Sequence, residues 1–223
     1  MRLGEGWGVG LSGDAGWAVL AADPSDFSQL TLVPTSVGEA FRIDTRPLKP
    51  SVGLWHVDGN RVGFNGAEPG RPPRAFLFER STGRSRAVTP ENTRAIRGLV
   101  RDEQVLALAQ DGSLAFHPIA GGEGQPVPAR LPADLQTFSP NLQVVRVSGD
   151  GRSLFVKEGS IPARIERLEL ATGRRTPWKI LKPADPAGVY GTWAHHLTPD
   201  GEGYVYAYGR ALTDIYLLEG LQF

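Results

Sequence analysis

The side chains of this chain that could do chemistry are four histidines, a glycine-rich segment near residue 10 and a series of aspartates. His195 and His196 are neighbours in a stretch with the apolar pattern of a strand. Because adjacent side chains on a strand point to opposite faces, these two imidazoles cannot share one metal ion. His56 and His117 lie elsewhere in the sequence, so the histidines predict structural roles and no metal site.

The segment Gly8-Val9-Gly10-Leu11-Ser12-Gly13 matches G-x-G-x-x-G, the pattern of a nucleotide-binding loop. That loop needs a strand before it and a helix after it. Only seven residues precede this segment, and the strand-like run 16–20 follows it, which predicts a strand and no nucleotide site. The chain has no Cys, no Walker lysine, no kinase catalytic loop and no G-x-S-x-G elbow, so we expect neither catalysis nor a cofactor.

The aspartates recur at a regular interval. Five of them stand in short turn-like segments, with successive spacings of 44, 44, 48 and 50 residues: Asp14, Asp58, Asp102, Asp150 and Asp200. Paired carboxylates can act as acid and base, but carboxylates repeated once per turn are typical of side chains that accept backbone N–H groups. The interval is that of one propeller blade.

The flanks of the five aspartates repeat as well. The positions three before and four, five and six after each Asp are apolar or aromatic, apart from one Gly: 11, 18–20; 55, 62–64; 99, 106–108; 147, 154–156; 197, 204–206. A strand that is apolar on both faces is typical of one packed between two sheets. We therefore predict an all-β propeller of about five four-stranded antiparallel blades in a single domain over 1–223.

The predicted repeats are 7–50, 51–93, 94–141, 142–189 and 190–223. The chain ends just after the third strand of the last repeat, at 214–218, so that blade is expected to be incomplete. Two arrangements follow from this: a five-bladed ring that closes imperfectly, or part of a larger propeller. We favour the larger ring, because an unsealed sheet edge invites pairing with other chains.

One repeat carries a more specific motif. Thr198-Pro199-Asp200-Gly201, followed by the strand-like segments 204–208 and 214–218, resembles the TolB-like, WD-like bacterial propeller repeats. Ser148-Gly149-Asp150-Gly151 with 153–156 is similar to the same pattern. The closing stretch 212–221 resembles the end of the propeller that many bacterial serine/threonine protein kinases carry behind their catalytic domain. This resemblance implies the C-terminal region of a kinase-like or envelope protein.

Binding residues are expected where the innermost strands begin, around the mouth of the channel. Aromatic and cationic side chains of the kind that dominate interfaces occur there: Trp7, Arg97, Tyr190, Trp193 and His195. Each Trp could instead pack between blades. The proline-rich segments 67–73 and 182–188 are further candidates for contact and equally suit simple connections.

The sequence therefore predicts a noncatalytic interaction or sensing module with a protein or peptide partner. With 24 basic and 24 acidic residues, we expect no nucleic-acid partner. No signal peptide and no membrane span is visible, which suits the cytoplasm, or the periplasm if the chain is part of a membrane-anchored protein. Two alternatives stay open: a small propeller hydrolase or lyase acting at the channel mouth, and a structural propeller that self-associates through open blade edges.

Overall fold

The computed structural model describes residues 4–23, 25–99, 103–131, 142–198 and 200–212, and all regular structure in these residues is β-strand. No helix that could span a membrane occurs among them. The strands are β1 (Trp7–Leu11), β2 (Trp17–Asp23), β3 (Asp26–Pro34), β4 (Phe41–Asp44), β5 (Lys49–Val57), β6 (Arg61–Ala67), β7 (Arg74–Glu79), β8 (Arg84–Ala87), β9 (Thr93–Leu99), β10 (Gln104–Ala109), β11 (Ser113–Pro118), β12 (Gln125–Arg130), β13 (Leu142–Val147), β14 (Ser153–Glu158), β15 (Ala163–Glu169), β16 (Arg175–Leu181), β17 (Val189–Leu197) and β18 (Tyr204–Arg210).

The strands form five antiparallel sheets in chain order, which confirms the predicted all-β, five-bladed propeller. Four sheets have four strands each, and the fifth is described for its first two, β17 and β18. The third strand predicted for the last blade, 214–218, lies outside the described residues. The first strand of each blade contacts the first strand of the next, so these strands are the innermost and surround the channel.

The core consists of hydrophobic clusters at the junctions between blades. One cluster joins blades 1 and 2, and others join blades 2 and 3, 3 and 4, and 4 and 5. The second strands of blades 2, 3 and 4 are packed on both faces. In β14, Leu154 and Val156 belong to the cluster shared with blade 3, whereas Phe155 between them belongs to the cluster shared with blade 5. The apolar runs of these three blades therefore lie between two sheets, as the repeat predicted, whereas Tyr204 and Val205 in the run of the last blade are exposed.

Polar side chains reinforce these junctions by bonding the backbone of the next blade. The Asn65 side chain donates to the carbonyl of Ala95 at 3.0 Å and accepts the Ala95 N–H at 2.8 Å. Arg146 donates to the carbonyl of Leu197 at 2.7 Å. Each bond gives a hydrogen-bond partner to a backbone N–H or C=O group at the inner edge of a sheet, which would otherwise lack one. The blades are thus fixed in both spacing and register.

The repeated aspartates cap their own turns. The Asp150 carboxylate accepts the Arg152 N–H at 3.0 Å and the Ser148 hydroxyl at 2.6 Å. Asp14 and Asp200 make the equivalent bonds, and Asp102 lies outside the described residues. Bonds of this kind lower the pKa of Asp150, the hydroxyl of Ser148 being the largest cause. These carboxylates are occupied by their own turns.

The glycines after the aspartates serve two different purposes. Gly151 and Gly201 have φ values of 68° and 78°, the left-handed conformation expected of a tight turn. Gly59 instead lies against blade 1, because a Cβ at this position would come within 2.5 Å of Nε1 of Trp17. Gly59 follows Asp58 in one of the turn-like segments, and the sequence gave no sign of this close approach.

Replacing Leu154 by alanine tests the core at the junction of blades 3 and 4. This side chain is fully buried, at 0% exposure. Leu154→Ala therefore removes buried apolar atoms and leaves a cavity in the junction. We expect the free energy of unfolding in urea to fall by about 2–5 kcal/mol. Val37→Ala, at a fully exposed position, is the control and should change stability little. A loss below about 1 kcal/mol for Leu154→Ala would contradict the packing described here.

Candidate functional site

The connections of the propeller emerge at two opposite ends. Each blade runs up, down, up and down, so the loops that lead into a new blade lie at the end where the innermost strands begin. We call this end the top face; it carries the loops 68–73 and 182–188. The opposite end, the bottom face, carries the aspartate turns. The top face is therefore the end where the sequence predicted binding residues.

Two of the predicted residues, Tyr190 and Trp193, come together on β17. Their ring centroids are 5.8 Å apart with a tilt of 35°. Tyr190 is 68% exposed and Trp193 is 44% exposed. Both rings lie over Gly209 of β18, where a Cβ would come within 2.4 Å of either ring. The glycine thus provides the space in which this aromatic pair rests against the sheet.

Of the other predicted residues, Trp7 and His195 make no ring contact with the aromatic pair. Trp7 begins β1 and is 60% exposed, at the top of the first blade. Arg97 lies in β9, and its side chain is outside the described part of the structure. Among the predicted side chains that the structure describes, the expected grouping is therefore present as Tyr190 with Trp193.

His195 lies in the junction between blades 4 and 5, not at the mouth. It is 4% exposed, its ring stacks on Tyr206 at 6.3 Å, and its Nε2 is 3.1 Å from the hydroxyl of Thr192. Regular alternation would place His195 on the same face as Trp193. The pairing register of β17 shifts between Trp193 and His196, which turns His195 to the other face. The expectation that this imidazole is presented to a partner at the mouth is corrected accordingly.

A buried lysine shares this junction and was not singled out from the sequence. Lys157 of β14 is 1% exposed and lies two residues after Phe155, on the side of the strand that faces blade 5. Burial lowers its pKa. Burial also lowers the pKa of His195, to about 4, with the charge of Lys157 as a smaller cause. The sequence did contain one sign that Lys157 is buried: it lies in β14, a strand whose other residues are packed on both faces.

A cleft opens on the top face between blades 2 and 3, with a volume of about 290 Å³. Its lining residues come from four separate segments: Ser51, Pro73, Asn92, Arg94, Leu108 and Gln110. A second cavity of about 380 Å³ lies at the bottom face between blades 3 and 4. In the described residues, no group of three His, Asp or Glu side chains is placed to hold a metal ion.

Comparison with known proteins identifies a fold and no family. No protein-family model and no curated protein sequence matches the chain. Among solved structures, TolB from Acinetobacter baumannii is similar over 89% of this chain and 53% of that one, at 14% identity and a TM-score of 0.52. The chain therefore spans about half the length of that TolB. At this identity the similarity concerns the propeller fold alone.

Two further structures are more loosely similar. Hydrazine synthase of Kuenenia stuttgartiensis matches over 92% of this chain and 71% of that one, at 14% identity and a TM-score of 0.48. Prolyl oligopeptidase B from Galerina marginata matches over 89% of this chain and 30% of that one, at 13% identity and a TM-score of 0.45. Neither similarity is close enough to indicate a function.

Acid should weaken the junction that contains His195. The ordinary pKa of 6.5 applies to the unfolded chain, while the folded chain lowers it to about 4. Between these values the unfolded chain takes up a proton that the folded chain excludes. The free energy of unfolding should therefore fall as the pH drops through this window, by up to about 3 kcal/mol from this group.

Urea unfolding measured from pH 7 to pH 4 checks this, with His195→Gln as the test variant and the exposed neighbour His196→Gln as the control. The capping aspartates and buried His117 add acid sensitivity of their own, and all three proteins share it. His195→Gln should show a shallower decline than the wild type, and His196→Gln should follow the wild type. Identical declines for all three would contradict the burial of a neutral imidazole.

Proposed function

We propose that this chain is a noncatalytic β-propeller that binds a protein or peptide partner on its top face. One observation carries the proposal: the aromatic pair Tyr190 and Trp193 is exposed on β17, the first strand of the fifth blade, which begins at the top face. Exposed Trp and Tyr side chains with few rotatable bonds are the residues that most often dominate the binding energy of an interface.

The surroundings of the aromatic pair are already ordered. Arg210 of β18 donates to the carbonyl of Asp185 at 2.6 Å, and the two side chains form an ion pair at 3.1 Å. The Asp185 carboxylate also accepts the Ala187 N–H at 3.0 Å. The loop 182–188 is thereby tied to the edge of the fifth blade beside Tyr190. A partner would not have to order this loop, which reduces the entropic cost of binding.

The best placed imidazole and carboxylate support a noncatalytic role. Nε2 of His56 lies 2.8 Å from Asp58, which is the geometry of a base and its orienting acid. However, the same carboxylate accepts the N–H groups of Asn60 at 2.8 Å and Arg61 at 2.6 Å. Burial raises the pKa of Asp58, but the bonds from His56, Asn60 and Arg61 outweigh it and lower the pKa to about 2. This pair belongs to a bottom-face turn, and its bonds serve to hold that turn.

The propeller would belong to a larger kinase-like or envelope protein of a bacterium. The motif of the last blade, Thr198-Pro199-Asp200-Gly201 with the tyrosine-rich strand β18, supports this context. The gene sequence upstream of Met1 tests it. A reading frame that continues into a kinase catalytic domain or a membrane helix supports the context, and a stop codon directly upstream opposes it.

A selection of phage-displayed random peptides on the immobilised protein would test the binding function. The peptides that are recovered should lose affinity for Trp193→Ala and for Tyr190→Ala by about tenfold or more, as expected of residues at the centre of an interface. Fluorescence anisotropy of a labelled peptide measures the affinities. Ile180→Ala is the matched control, because Ile180 is 59% exposed but lies on β16 of the neighbouring blade.

The outcome that contradicts the proposal is a set of peptides that bind Trp193→Ala and Ile180→Ala equally well. Light scattering on the same variants separates self-association from partner binding. If the wild type is a dimer and Trp193→Ala is a monomer, the aromatic pair joins copies of this chain, and the proposed partner is wrong.

A further inference from the structure

The cavity on the bottom face has the composition of a site for an apolar molecule. It lies between blades 3 and 4, and its volume of about 380 Å³ is within the range of ligand pockets. Five of its lining residues have apolar side chains, from two strands of blade 3 and the turn that follows β15: Phe116, Val127, Pro128, Leu170 and Ala171. Gly151, Arg152 and Glu169 complete the lining.

The walls of the cavity continue the hydrophobic core. Leu170 is 3% exposed and belongs to the cluster shared by blades 3 and 4. Phe116 and Val127 are half-buried and pack against the same cluster. A molecule in the cavity would therefore contact side chains that the junction already holds in place. Burial of its apolar surface against them is the expected source of affinity.

An irregularity in β12 forms one side of the cavity. Between Val127 and Arg130, β12 contains two residues more than the segment of β11 with which it pairs, Pro128 and Ala129. Pro128 has no N–H to donate to β11. The N–H of Ala129 donates to the carbonyl of Leu170 in blade 4, at 3.1 Å. The bulge thus bonds β12 to the next blade, and Val127 and Pro128 border the cavity at this point.

Two polar groups of the lining are engaged within blade 4. The carboxylate of Glu169 accepts the hydroxyl of Thr172 at 2.6 Å and lies 3.7 Å from Nε of Arg174, so it belongs to the turn after β15. The carbonyl of Arg152 accepts the N–H of Leu170 at 2.9 Å. The Arg152 side chain is exposed, which keeps its guanidinium in water. Most of the surface that a ligand would meet is therefore apolar, and a charged ligand would lose hydration there.

We propose that this cavity binds an uncharged aromatic ring. Phe116 offers a ring against which a second ring packs edge to face or offset, and Pro128 and Leu170 offer aliphatic walls. The ring can belong to a free small molecule or to an aromatic side chain of a peptide, since both present the same chemistry. The cavity is at the opposite end of the propeller from the top face, and its role does not depend on the function proposed above.

The probes are benzyl alcohol, benzylamine and N-acetyl-phenylalaninamide, titrated into the isotope-labelled protein and followed by NMR. Benzyl alcohol should shift the amide signals of Val127, Leu170 and Ala171, which border the cavity. Benzylamine carries the same ring with a positive charge and should bind about fivefold or more weakly, because the charge loses hydration. Tighter binding of N-acetyl-phenylalaninamide than of benzyl alcohol assigns the site to a peptide side chain, and equal or weaker binding assigns it to a free small molecule.

Two variants test the location. Ala171 is exposed, so Ala171→Phe adds a side chain that fills the cavity without disturbing the core, and benzyl alcohol should bind about tenfold or more weakly. Phe116→Leu removes the aromatic wall but keeps an apolar side chain, and should weaken binding by about threefold or more. Ala120→Phe is the matched control, because it adds the same ring at an exposed alanine in the corresponding turn of blade 3, and it should bind as the wild type does. Thermal unfolding confirms that each variant is folded, and Ala171→Phe stands if Phe116→Leu does not fold.

The proposal is overturned if benzylamine binds as tightly as benzyl alcohol, if Ala171→Phe binds as tightly as the wild type, or if no probe binds at concentrations up to about 20 mM, the affinity range of weak fragments. Signal shifts confined to Tyr190 and Trp193 would overturn it as well, since they would place the ring on the aromatic pair.

Discussion

The structure depends on the burial of the second strands of blades 2, 3 and 4 between two neighbouring sheets. Four-stranded sheets with apolar residues on both faces are not stable alone, because at least one face would contact water. Here the second strands place residues at 0% exposure in two of the junctions: Val19 and Phe64 between blades 1 and 2, and Leu106 and Leu154 between blades 3 and 4. Because every sheet supports the next, the ends of the propeller are the surfaces on which side chains can vary without cost to the core.

The two ends differ in what they offer. On the bottom face, the carboxylates of the turns accept backbone N–H groups two residues ahead, as Asp14 does from Gly16 and Asp150 from Arg152. Those side chains are engaged in their own turns. At the top face, the cleft between blades 2 and 3 is lined by donors, and β17, which carries the exposed Tyr190 and Trp193, begins there. This asymmetry is the physical basis of the proposal that the top face binds a partner.

Much of the fold could be predicted from the sequence, since each blade repeats the same burial problem. The spacing of the aspartates and the apolar positions around them located the innermost strands and the sandwiched ones. The strand-like segment 204–208 of the last repeat is part of β18, Tyr204–Arg210. The sandwiched strands could be located because a strand that is buried on both faces carries a continuous apolar run, and that run is visible in the sequence.

The candidate site was less predictable, for reasons that the structure makes specific. The side to which His195 points depends on a register shift in β17, which alternation along one strand does not reveal. The cleft is formed by residues as far apart in the chain as Ser51 and Gln110, each unremarkable in its own segment. Tyr190 and Trp193 were predicted from residue type and position, but their contact depends on Gly209 in the neighbouring strand.

Hydrogen–deuterium exchange with and without a selected peptide is the most direct test of partner binding at the top face. The account predicts that the peptide slows exchange in the loop 182–188 and the first half of β17, and leaves the turn at Ser148–Gly151 unchanged. Slower exchange centred on the bottom-face turns, or spread evenly over all blades, would contradict it.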